Sequence, residues 1–78
     1  MTVEADAQVR QLVECWQAMY DEWEAGRGCS PSATDLAWGA RHVLGLALDE
    51  RATAERVYAE LCEGTELAVI ARRVVEAP

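Results

Sequence analysis

The stretch Leu36–Gly45, LAWGARHVLG, carries the residues best equipped for chemistry in this chain. On a helix, Trp38, Arg41, His42 and Gly45 share one side, about 180° from the centre of the leucine-rich arc. Tryptophan and arginine are enriched where proteins bind one another, and glycine lets a second backbone come near. The chemistry suggested is recognition: burial of an indole against a partner. His42 is the single histidine, and no serine or cysteine lies at a spacing that would make it the base of a nucleophilic pair. The acid pairs Asp21/Glu22 and Asp49/Glu50 fall at helix ends, where surface carboxylates are common, and not in a cleft that would shift their titration. The sequence GRG lacks the lysine, the hydroxyl residue and the preceding strand of a phosphate loop. The three cysteines, Cys15, Cys29 and Cys62, are odd in number and widely spaced, so neither a disulfide framework nor a zinc site is expected. Cys15 and Cys62 read as half-buried fillers and Cys29 as a loop thiol. No enzyme activity, no cofactor and no metal is expected.

A second set of residues suggests a different class. SPSATDLA followed by LGLALDERATAERVYAEL allows a helix-turn-helix reading, in which Arg51, Thr53 and Arg56 face a DNA groove and the protein is a transcriptional regulator. Two features oppose it. Extra residues separate the helix start from the turn, and Glu50, Glu55 and Glu60 on the reading helix repel phosphates.

These residues need helices to position them. Residues 3–25 place Ala5, Val9, Leu12, Val13, Trp16, Met19, Tyr20 and Trp23 within an arc of about 120°, with Glu4, Arg10, Glu14, Gln17 and Asp21 opposite. Gly26 and Gly28 supply the stop. The Trp16/Tyr20/Trp23 stripe reads as core, with a dimer seam as the other use of such a face. A second helix is expected over 32–48. Ser30 is its cap with Pro31 in the first turn, or else Thr34 is the cap with Asp35 beside it. Its apolar set is Leu36, Ala37, Ala40, Val43, Leu44, Leu46, Ala47 and Leu48, an arc of roughly 200°, which makes it central, so that Trp38 either meets a partner or packs under the first or the last helix with His42 at the margin. Gly39 and Gly45 weaken it by about 1 kcal/mol each and open it to close approach. A third helix over 50–63 is capped by Asp49 and turns Ala54, Val57, Tyr58 and Leu61 inward. A fourth over 66–76 is capped by Thr65 and turns Leu67, Ile70, Ala71 and Val74 inward, with Val69 pointing elsewhere and Pro78 closing the chain. No period-two alternation competes. The expected fold is therefore all-α, a single domain over residues 1–78: a bundle of three to four helices led by a long amphipathic one.

Composition bounds what such a bundle does. The chain has 78 residues, 51% hydrophobic, with a net charge of −7 and arginine as its only basic side chain besides the histidine. So short a chain buries roughly 60–65% of its unfolded surface, so part of this apolar content is expected to need a second copy or another protein to cover it. Acids dominate residues 1–25 and 49–64. Such a field repels nucleic acid and favours a basic protein partner. No apolar stretch approaches a membrane span or a leader peptide, so a soluble, cytoplasmic protein is expected. The sequence thus points to a small acidic adaptor or regulator, a homodimer or a binder of another protein, acting through Trp38, Arg41, His42 and Gly45.

Overall fold

The computed structural model describes residues 3–45 and 48–76. Among them are four helices and no strand: α1 (Val3–Glu24), α2 (Ala33–Leu44), α3 (Glu50–Cys62) and α4 (Leu67–Glu76). A helix of this length spans about 33 Å at 1.5 Å per residue, so α1 accounts for most of the 37 Å long axis of the molecule. It packs against both α2 and α4, α2 packs against α3, and α3 touches α4 more lightly. The all-α bundle with a long first helix is as the periodicity requires.

The core draws on every helix. Val9, Leu12 and Trp16 come from α1, Leu36 and Ala40 from α2, Val57 from α3, and Ile70, Ala71 and Val74 from α4. Trp16 holds the centre. Its side chain is fully buried, and its indole Nε1 donates to the Leu36 carbonyl at 2.8 Å across the α1–α2 contact. A buried indole N–H left without a partner would cost about 1–3 kcal/mol, so this bond fixes which part of α2 lies over Trp16. Gly39 makes the approach possible. A Cβ there would stand 3.1 Å from both Cys15 Sγ and Met19 Cε and 3.5 Å from Trp16 Cδ1. The close approach expected at Gly39 is therefore real, and the backbone concerned is that of α2 itself against α1.

The helix ends hold three corrections. Helix α2 is capped by Ser32, not by Ser30 or Thr34. The Ser32 hydroxyl accepts from Asp35 N at 3.1 Å, and Asp35 Oδ2 accepts from Ser32 N at 3.0 Å, a reciprocal capping box. The helix stops at Leu44 and not at residue 48. Gly45 takes φ +93°, a conformation open to glycine because it has no Cβ, and its N–H closes on the Arg41 carbonyl at 2.8 Å. Leu46 and Ala47 lie outside the described residues, as does Pro78. Leu48 is buried, but as an anchor in the α2–α3 connection. Helix α4 begins at Leu67, and the Glu66 carbonyl accepts from Ile70 N, which puts Glu66 rather than Thr65 at the capping position. Asp49 caps α3 as expected, accepting from Ala52 N at 3.0 Å.

Helix α3 is also turned relative to expectation. Thr53 and Val57 are its buried residues, while Tyr58 is 64% exposed. With few large apolar side chains, α3 has no steep arc to fix its rotation, and packing against α2 decides it. Cys62 is exposed for the same reason, not half-buried. Arginines clasp the helices from outside: Arg72 to Asp6 at 3.3 Å joins α4 to α1, Arg73 to Glu60 at 2.7 Å joins α4 to α3, and Arg41 to Glu50 at 3.2 Å joins α2 to α3. Each of these exposed pairs adds at most about 1 kcal/mol. The fold therefore rests on the Trp16 centre.

Trp16→Phe should lower stability by about 1–3 kcal/mol through the lost cross-helix hydrogen bond and the lost ring volume, read by urea denaturation. Gly39→Val should cost a similar amount by wedging α1 from α2.

Candidate functional site

Because Leu36, Ala37, Gly39 and Ala40 are buried, Trp38 must face outward. It is 53% exposed. Its ring meets His42, one turn along, edge to face, with centroids 4.0 Å apart and planes at 66°. That arrangement sets the positive ring edge against a π face and holds the indole in place while leaving it open to solvent.

The four residues expected to act together separate into three parts. Trp38 and His42 form one unit. Arg41 points to Glu50 and serves the α2–α3 clasp. Gly45 is no part of a helical face: it sits in the turn after α2, with nothing within 4 Å of where a Cβ would be. Its role in the fold is to end the helix, which corrects its placement on one helical face with Trp38.

What the spacing of α2 did not reveal is the neighbour of Trp38. The 25–32 connection folds back so that Cys29 and Pro31, with Met19 of α1, line a groove beside the indole. Glu22, Arg27 and Asp35 line it too. Arg27 forks onto Glu22, with Nε to Oε2 at 2.7 Å and Nη2 to Oε1 at 3.2 Å. That hydrogen bonding raises the Arg27 pKa above the usual guanidinium value. Asp35 is held by the capping box of α2. Met19 was visible in the sequence as the flank of the α1 stripe. Pro31 and Cys29 carried no signal, since their position follows from how the loop returns over α1.

The other aromatic stripe divides along its length. Trp16 is core, Tyr20 is half-buried against it, and Trp23 is 44% exposed. Of the residues in the helix-turn-helix reading, Thr53 is 1% exposed and faces the core, so it does not reach a DNA groove. The cause is the rotation of α3 described above. Arg51 lies 3.8 Å from Glu55, and Arg56 donates to the Arg73 carbonyl at 3.3 Å. Among the described residues no group of three His, Cys, Asp or Glu side chains could hold a metal ion, and no helix is long and apolar enough to cross a membrane. No protein-family model, curated protein or solved structure matches the chain.

The thiols differ as their surroundings do. Cys29 and Cys62 are exposed, whereas burial raises the Cys15 pKa and so lowers its thiolate fraction at any pH. With a thiol reagent such as Ellman's, two thiols should react at once in the folded protein. The third, Cys15, should react only slowly, which mass mapping of the labelled peptides will assign.

Proposed function

We propose that this chain is a small, acidic, non-enzymatic interaction module, an adaptor or regulator working in the cytoplasm. It binds another protein, or a second copy of itself, through the surface that carries Trp38 and His42. The observation behind this reading is the position of Trp38: a large aromatic side chain, braced by His42, stands open beside an apolar groove instead of packing into the core. Covering such a surface yields free energy to a partner, because the indole gives up water and little rotamer freedom is lost on binding. The brace by His42 pre-orders the ring before a partner arrives.

Photo-crosslinking tests the reading. A benzophenone amino acid in place of Trp38 should yield protein adducts, or homodimers, in cells of the source organism. The same group in place of Tyr58, more open to solvent still, should not. Nucleic-acid adducts, or identical patterns from both sites, would contradict it. Trp38→Ala should lower the folding free energy by less than about 1 kcal/mol, as expected for a surface position, when followed by thermal circular dichroism.

A further inference from the structure

The groove beside Trp38 is small, about 300 Å³, at the lower end of the range for ligand pockets. It suits one or two side chains of a partner. Its apolar wall is made by Met19, Pro31 and Trp38. Its charges are unequal in effect. The positive charge of Arg27 is already spent, because both oxygens of Glu22 are engaged by its guanidinium. Asp35 remains as a carboxylate on the groove, with one oxygen bonded to Ser32 N. The wider setting has the same sign: residues 19–38 hold four acids and one arginine.

Resting on the interaction-module reading above, the geometry points to one occupant: an apolar side chain carried on a cationic segment of another protein. The apolar group inserts against Met19, Pro31 and Trp38. Lysines or arginines beside it face Asp35, the carboxylate on the groove that no arginine neutralises. Burial of the anchor supplies affinity, and the opposed charges raise the association rate and exclude acidic segments. A second copy of this chain is the poorer occupant. A two-fold contact sets each patch against itself, so Asp35 would face the acidic rim of a partner that also carries a net charge of −7.

A random dodecapeptide library displayed on phage, selected on the immobilised full chain and counter-selected on Trp38→Ala, tests this. The expected result is enrichment of peptides with one bulky apolar residue flanked by Lys or Arg. Synthetic copies of these should bind at least about tenfold more weakly to Trp38→Ala and about two- to fivefold more weakly to Asp35→Asn, with affinity falling as salt rises. Both variants should keep the wild-type circular dichroism spectrum. Enrichment of neutral or acidic peptides that still need Trp38 would overturn the cationic partner and leave the interaction surface standing. No Trp38-dependent peptide at all would overturn both. Sedimentation showing a dimer that Trp38→Ala dissociates would overturn the cationic partner in favour of a second copy.

Discussion

One buried hydrogen bond sets the arrangement on which the rest depends. The Trp16 indole reaches across to the Leu36 carbonyl, and Gly39 lets α2 lie close enough for it to do so. Together they fix the rotation and the height of α2 on α1. Once Leu36, Gly39 and Ala40 are committed to the interior, the helical period leaves Trp38 and His42 no inward position. The exposed indole is thus a consequence of how the core is built. The core had to accept one large aromatic from α1, and the glycine that makes room for it sits next to the aromatic that is left outside.

The same constraint orders the loop. With α2 drawn against α1, the connection between them must return over the end of the first helix, and the Ser32–Asp35 capping box sets where the chain re-enters helical geometry. Pro31 and Cys29 then line one groove with Met19. The groove is made where two helices approach and a short connection folds over them, and it borrows a residue from each. Arg27 closes its charge balance locally by forking onto Glu22, which leaves the carboxylate of Asp35 as the surplus. The remaining arginines are used as clasps between helices, at Arg41, Arg72 and Arg73.

Much of this was legible in the residues, and the boundary of what was not has a physical cause. The arc from Val9 to Trp16 and the glycines after it located α1, and Leu67, Ile70 and Val74 located the inner face of α4. These helices have steep apolar gradients. Apolar composition extends α2 to residue 48, because Leu46, Ala47 and Leu48 continue it, whereas the helix ends at Leu44. The positive φ at Gly45 stops it, and composition does not report a dihedral angle. In α3 the gradient is shallow, so Thr53 turns in and Tyr58 turns out. The side of α2 that carries Trp38 and His42 was readable from the period of one helix, but its exposure was not, because a central helix can be covered on every side by its neighbours. The wall formed by Met19 and Pro31 was not, because it depends on how close two helices come.

Trp16 is sealed in the core while Trp38 stays open to water in the single folded chain. Hydrogen exchange of the indole N–H protons, followed by NMR on dilute protein with Trp16→Phe and Trp38→Phe used for assignment, tests it most directly. The expected result is a Trp16 proton protected to nearly the limit set by global unfolding, and a Trp38 proton exchanging at close to the rate of a free indole. A Trp38 proton as protected as that of Trp16, at every dilution, would mean that the ring is buried within its own chain and would contradict the account.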